Sequence, residues 1–279
     1  MKVIVTGAKG QLGMDVVHLL EHKGYKVYGY GREELDITNF DQVKQVISEV
    51  KPDVVIHAAA YTKVDLAESE RDQAFLVNAY GTRNVAVASE TVGAKLVYIS
   101  TDYVFDGTAK KPYNEFAPTS PLNVYGKSKL AGEQFVRDLH SKFFIVRTSW
   151  VYGKHGNNFV RTMLKLAQER DELMVVHDQV GCPTYTVDLA QCIFDLIQTE
   201  KYGIYHVSNS GHCSWYEFAK AIFEEAGIEM KVNPCTTQDF QRPAPRPMYS
   251  VFEHMALRLN GFHRMRNWRE ALKEFIHTN

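Results

Sequence analysis

A tyrosine and a lysine four residues apart, Tyr125-x-x-x-Lys129, offer the clearest chemistry in this chain. On a helix that spacing puts both side chains on one face. A phenol has an ordinary pKa of about 10 and exchanges protons poorly at neutral pH. An ammonium group beside it favours the phenolate and lowers that value by roughly 1–3 units. The pair therefore predicts a general acid, Tyr125, with Lys129 as its tuner. Thr101 follows an apolar run, Leu96-Val97-Tyr98-Ile99, and its hydroxyl could help to hold a carbonyl oxygen. The bland alternative is an amphipathic helix with a surface tyrosine and a surface lysine, since YxxxK is a common pattern.

Those residues need a sheet edge and a helix to hold them. Residues 2–6 are a short β-branched run, expected as a buried strand. The run meets Gly7-Ala8-Lys9-Gly10-Gln11-Leu12-Gly13, after which Leu12, Val16, Val17, Leu19 and Leu20 fall at helical spacing. Strand, GxxGxxG turn and helix together are the setting in which a glycine motif binds a dinucleotide. Gly7 makes the turn, Gly10 lets backbone approach a pyrophosphate, and Gly13 lets helix and strand pack closely. The helix start then offers free N–H groups to the phosphates. Residues 26–30 are expected as the second strand. The acid that usually holds the ribose hydroxyls would fall on Gly31, and Arg32 follows. A guanidinium suits a 2′-phosphate, so the sequence leans to NADP(H), although Glu33 and Glu34 lie close enough to oppose it. Asp36 could meet an adenine amine or simply sit in a capping loop, with Thr38 or Asn39 as the N-cap.

Residues 52–57 are expected as the third strand. The strand runs into Ala58-Ala59-Ala60, which suits either close approach by a ligand or a tight turn. A helix over 68–92 carries Asn78, expected to tie helix to sheet. The loop 106–120 is rich in Gly, Pro, Thr and charge and is placed to fold over a ligand. A helix over 123–140 carries Tyr125 and Lys129. Strand 143–147 ends at Thr148-Ser149-Trp150, where Trp150 serves either as a substrate wall or as core. Beyond residue 153 the spacing predicts helices over 155–169, 187–199, 215–226 and 268–276, strands over 173–176 and 203–207, and an extended, ligand- or partner-facing loop at Pro243-Ala244-Pro245-Arg246-Pro247. The expected fold is α/β: a doubly wound parallel (Rossmann) sheet with a smaller C-terminal substrate-binding lobe. Residues 1–152 would form the nucleotide half and 153–279 the lobe, the two interleaved.

The totals exclude several classes. The chain has 279 residues, 45% hydrophobic, with a net charge of −1. No basic surplus points to a nucleic acid, and no polybasic block points to a membrane surface. No run approaches the ~20 apolar residues of a membrane span, and the opening Lys2-Val3-Ile4-Val5 shows no long apolar h-region or small-residue cleavage site, so it is expected as a strand rather than a leader. Cys182, Cys192, Cys213 and Cys235 form no CxxC pair and no metal-ligand spacing. They are expected as reduced, buried thiols of a cytoplasmic protein, and no metal is expected.

Gly10-Gln11-Leu12-Gly13, Ser100 to Phe105, Ser120 to Lys129, Arg147 to Tyr152 and Asn157-Asn158-Phe159 are specific in combination. With them the chain resembles the extended short-chain dehydrogenase/reductase family, and within it the reductases of dTDP-linked 4-keto-sugars. The resemblance runs to about residue 200 and is weaker beyond. It implies hydride transfer from NADPH, with NADH as a second acceptable donor, to the C4 ketone of dTDP-4-dehydro-L-rhamnose, giving dTDP-L-rhamnose. It implies that Tyr125 protonates the new alkoxide, that Lys129 lowers its pKa and holds the nicotinamide ribose, and that Thr101 hydrogen-bonds the reacting oxygen. Asp102, Tyr103 and Trp150 would face the sugar nucleotide. Asp36, Ile37, Ala59, Ala60, Thr62 and Ile99 would touch the cofactor, beside Gly7, Gly10, Gln11, Leu12, Gly13 and Arg32. Dehydratases of the wider family follow the threonine with Asp-Glu. Thr101 is followed by Asp102-Tyr103, and the missing glutamate argues for plain reduction. Some members are homodimers with a divalent ion at the interface. Asp15 lies near the corresponding helix without a ligand set, so a homodimer stays open and a metal is not expected. Two rivals remain: another sugar-nucleotide reductase or epimerase, and a non-catalytic NADP-binding subunit similar to the regulatory subunit of methionine adenosyltransferase.

Overall fold

A computed structural model describes residues 1–278. Five parallel strands, β1 (Lys2–Thr6), β2 (Lys26–Tyr30), β3 (Val54–His57), β4 (Lys95–Thr101) and β5 (Phe143–Thr148), lie in the order β5-β4-β3-β1-β2. A sixth, Gly203–His206, pairs in parallel with the outer side of β5. An all-parallel sheet needs both faces covered, and alternate residues of each strand point to opposite faces. Val3, Val5, Ile56, Val97 and Val146 meet α1 (Gln11–His22) and the helix Thr186–Ile197 on one side. Ile4, Val55, Leu96, Tyr98 and Ile145 meet α2 (Phe40–Val50) and its neighbours on the other.

The helix predicted over 68–92 is not continuous. After a 3-10 turn come α3 (Arg71–Phe75), a π-helical stretch at Leu76–Gly81, and α4 (Thr82–Thr91). Such wide turns cluster at functional sites, and this one carries the buried Asn78. Its Oδ1 accepts from the Tyr61 N–H at 2.8 Å, and its Nδ2 donates to the Tyr61 carbonyl and to Ser128 Oγ, each at 3.0 Å. Asn78 therefore braces the loop after β3 against the next helix, α5 (Val124–Leu139), rather than tying helix to sheet.

The second lobe gathers the helices Phe159–Leu166, Trp215–Ala226 and Trp268–Thr278 around Tyr152, Phe218, Leu272 and Phe275. Glu172–Val176 pairs there with Lys231–Cys235, a strand with no alternating pattern to announce it. The loop 106–120 lines no part of the ligand cleft described below. Tyr113 stacks on Phe105 at 4.2 Å and its N–H donates to Val251, which draws the loop down onto the second lobe. Pro243 to Pro247 lines no part of that cleft; it is a strap tied down at Ala244 and Arg246, with Pro243 and Pro245 exposed. The Arg246 guanidinium grips both oxygens of Asp65 at 3.0 Å, and Asn123 Nδ2 donates to the Pro245 carbonyl at 2.8 Å.

Four imidazoles are buried or nearly so. Burial pushes His57 down to about 3, His140 and His254 to about 4, and His206 well below the ordinary value. They stay neutral when folded but take protons when unfolded. Their contribution is therefore full above about pH 6.5 and is lost as pH falls toward 4, by up to about 1.4 kcal/mol per histidine per pH unit. The melting temperature should drop steeply over that interval. A flat melting temperature across it would mean that these rings are hydrated.

Candidate active site

The carboxyl ends of the strands open on one cleft of about 1040 Å³. Every predicted site residue lines it: Gly7, Gly10, Gln11, Leu12, Gly13, Arg32, Asp36, Ile37, Ala59, Ala60, Thr62, Ile99, Thr101, Asp102, Tyr103, Tyr125, Lys129 and Trp150. At one end, Gly7 takes a φ of +70°, a conformation that disfavours any side chain. A Cβ on Gly13 would stand 2.2 Å from the Gly7 carbonyl oxygen, so α1 can start against the turn only with glycine there. Gly10 caps α1 without a side-chain bond, leaving the first N–H groups of the helix to a ligand. Arg32 is exposed at the rim and enters no ion pair among the described residues. Glu34 is engaged elsewhere, accepting from the Gly31 N–H at 2.9 Å and from the Lys9 ammonium. Asp36 Oδ1 accepts from the Thr38 N–H and hydroxyl, a capping-loop arrangement, while Asn39 is the N-cap of α2. A bare glycine turn, an uncapped helix start and a free cation at the rim fit a dinucleotide bearing a 2′-phosphate.

At the other end the fold sets the three reactive side chains. Asn123 Oδ1 accepts from the Gly126 N–H at 2.7 Å and caps α5. A Cβ on Gly126 would lie 2.2 Å from the Tyr103 carbonyl oxygen, so the glycine lets α5 begin directly against the loop after Thr101. Tyr125 and Lys129 then share the cleft with Thr101. Lys129 Nζ donates to the Ile99 carbonyl at 2.7 Å and sits 4.1 Å from the centre of the Tyr98 ring. The Thr101 hydroxyl donates to Asp102 Oδ1 at 3.0 Å, and Ser250 donates to Asp102 Oδ2 at 2.7 Å. The Tyr103 ring meets Tyr125 edge-on at 5.7 Å.

The electrostatics differ from expectation at the key pair. Burial pushes Tyr125 up to about 12; Thr101 pulls it down and the Asp102 charge pushes it further up. Burial likewise pushes Lys129 down to about 7, against the pull of Glu133. The phenol is thus raised rather than lowered, because desolvation dominates in this site.

Behind the cleft, Glu133 is gripped by Arg147 Nε and Nη2 at 2.9 and 2.7 Å and by Ser100 at 2.5 Å, all buried. At the outer end, Trp150 holds a φ of +48°, strained for a bulky side chain. Its indole stacks on Trp215 with centroids 3.5 Å apart and planes within 8°. Trp150 is thus both a cleft wall and part of a packed pair. Trp215, Gly156 and Asn157 also line the cleft and went unforeseen. Trp215 carries only a local signal, an aromatic opening a helix behind the Ser214 cap, and nothing in the spacing links it to residue 150.

A doubly wound parallel sheet with a dinucleotide turn and a Thr–Tyr–Lys constellation at its carboxyl edge defines an extended short-chain dehydrogenase/reductase. More narrowly, the chain belongs to the family described as the RmlD substrate binding domain, which matches residues 1–279. It is 48% identical to the spore coat polysaccharide biosynthesis protein SpsK of Bacillus subtilis, over 99% of this chain and 96% of that one. It is 43% identical to dTDP-4-dehydrorhamnose reductase of Aggregatibacter actinomycetemcomitans, over 98% of this chain and 97% of that one. Among solved structures it superposes on dTDP-4-dehydrorhamnose reductase of Bacillus anthracis in complex with NADP, with a TM-score of 0.98 and 56% identity, over 100% of this chain and 99% of the other.

Proposed function

We propose that this protein reduces the C4 ketone of dTDP-4-dehydro-L-rhamnose to dTDP-L-rhamnose with NADPH. The observation that carries the proposal is the meeting of Thr101, Tyr125 and Lys129 in a cleft whose far end holds the glycine turn and Arg32. NADPH, when bound, supplies hydride to the carbonyl carbon. The chain's own residues do the rest. The glycine turn and the start of α1 receive the pyrophosphate, Arg32 receives the 2′-phosphate, and Asp36, Ile37, Ala59, Ala60, Thr62 and Ile99 flank the nucleotide. Thr101 and Tyr125 address the carbonyl oxygen, where negative charge develops and fixed donors lower the barrier. Tyr125, held protonated by burial, gives its proton to that oxygen. Lys129, on the same helical face, holds the cofactor ribose. Asp102, Tyr103 and Trp150 form the wall that the sugar nucleotide meets.

We assign the cofactor to residues 1–152 and the sugar nucleotide to the lobe 153–279, whose Gly156, Asn157 and Trp215 supply the opposite wall. Four buried, unpaired cysteines suit the reducing cytoplasm, which is where we place the enzyme. A homodimer is also proposed, supported by the exposed Leu76 and Tyr80 beside Phe135; sedimentation at micromolar concentration tests it.

The main test follows NADPH absorbance with dTDP-4-dehydro-L-rhamnose made in situ, then repeats it with NADH. Turnover is expected with both, faster at low concentrations of NADPH. Arg32→Ala should raise the KM for NADPH about tenfold, the worth of one exposed charge-assisted contact, and leave that for NADH nearly unchanged. Tight NADPH binding with no turnover on any dTDP-keto-sugar would favour the regulatory-subunit alternative instead.

A further inference from the structure

We propose that Asp102 decides which way the Thr101 hydroxyl proton points: ionised, the carboxylate takes that proton; protonated, it donates to Thr101 Oγ1 and frees the hydroxyl to donate into the cleft. The inference rests on the reduction proposed above, and it gives Asp102, already placed in the sugar-nucleotide wall, a second role as a positioning residue whose carboxyl acts through Thr101.

A hydroxyl has one proton to donate and two lone pairs to accept with. Thr101 Oγ1 accepts from the Tyr103 N–H at 3.2 Å and donates to Asp102 Oδ1 at 3.0 Å, so its single proton is placed there, and Tyr125, the other hydroxyl that meets it, can only be a donor to Oγ1. A carbonyl oxygen turning anionic needs a donor, not a second acceptor. If Thr101 turned its proton to that oxygen while Asp102 stayed ionised, a lone pair would face a carboxylate 3.0 Å away. A proton on Asp102 removes the conflict: the carboxylic O–H donates to Oγ1 and the threonine O–H faces the cleft. No proton leaves Asp102 in this arrangement. Tyr125 remains the proton donor to the substrate.

The surroundings suit a carboxyl that changes state in the working range. Asp102 is 3% exposed, and no cation pairs with it among the described residues. Burial raises it to about 6, while the Ser250 and Thr101 hydroxyls hold it down. Tyr103 and Tyr125 flank it, and the Cys182 thiol lies near; Arg246 of the strap reaches Tyr103 rather than the carboxyl. Lys129 lines the same cleft. Ser250 belongs to the segment that follows the strap, so the second lobe holds one end of this hydrogen-bonded chain and the reacting oxygen meets the other.

Two measurements test it. The first is the pH profile of kcat/KM for wild type, Asp102→Asn and Ser250→Ala. Wild type should lose activity about tenfold per pH unit above about pH 6 as Asp102 ionises, and about a hundredfold per unit once Lys129 also titrates. Asp102→Asn, whose amide donates to Thr101 at every pH, should keep only the single limb that belongs to Lys129. Ser250→Ala removes a donor to the carboxylate and should move the first limb to higher pH. The second measurement needs no substrate: an infrared titration should show a carboxylic-acid carbonyl band at about pH 5 that fades by about pH 8 and is absent from Asp102→Asn. An unchanged two-step limb in Asp102→Asn, or no infrared band that this substitution removes, would overturn the proposal. If Asp102→Asn does not fold, an unshifted first limb in Ser250→Ala does the same. A wild type that binds NADPH but reduces no keto-sugar would instead sink the reduction, while the infrared band still reads Asp102.

Discussion

Tyr125→Phe should lower kcat by about 10²–10⁴-fold and leave the NADPH dissociation constant within about twofold, the range for loss of a general acid. The substitution keeps the ring, and with it the edge-on contact to Tyr103 at 5.7 Å, so the cleft should hold its shape. It removes a proton donor that burial keeps protonated across the physiological range. Pushed up to about 12, the phenol is protonated at neutral pH and acts as an acid in the direction of reduction. The alkoxide would then depend on water or on Thr101, neither of which can give up a proton as readily. Cofactor titration by fluorescence and single-turnover kinetics separate the two effects. Unchanged turnover would take Tyr125 out of the chemistry.

Arg147→Met should cost about 3–5 kcal/mol and lower the melting temperature by on the order of 10 °C. The methionine fills the volume but leaves the Glu133 carboxylate buried with Ser100 as its remaining hydrogen-bond partner and Lys129 as its remaining charged neighbour. Breaking one side of a buried pair costs more than replacing both. The double variant Glu133→Leu with Arg147→Met should therefore recover much of the loss. If the single variant melts like wild type, water reaches Glu133. If the double variant is worse than the single, the pair contributes net stability of its own.

Much of the site was legible in the sequence because it is built from local patterns. The glycine turn must sit between a strand and a helix, and Tyr125 and Lys129 need only one helical face. Runs such as Val54-Val55-Ile56 have no period but mark buried parallel strands. What could not be read depends on contacts across the chain. Asn78 braces Tyr61 and Ser128 because the backbone widens into a π turn, which no residue spacing encodes. The loop 106–120 folds away from the cleft because Tyr113 finds Phe105 and Val251. Trp215 reaches Trp150 only once the second lobe has closed against the first. The phenol's pKa ran opposite to expectation for the same reason, since spacing reports a neighbour's charge but not how dry the site is.

The outermost strand of the central sheet, Gly203–His206, has a consequence for synthesis. As the nascent chain leaves the ribosome, β5 emerges long before its outer partner, and in the interval its hydrogen-bonding edge is open. An open edge of the apolar run Phe143-Phe144-Ile145-Val146 is a template for pairing with a neighbouring nascent chain. A fragment halted at residue 152 would keep that edge for good, so a half-molecule expressed alone should precipitate or recruit chaperones, although every residue of its glycine turn is present.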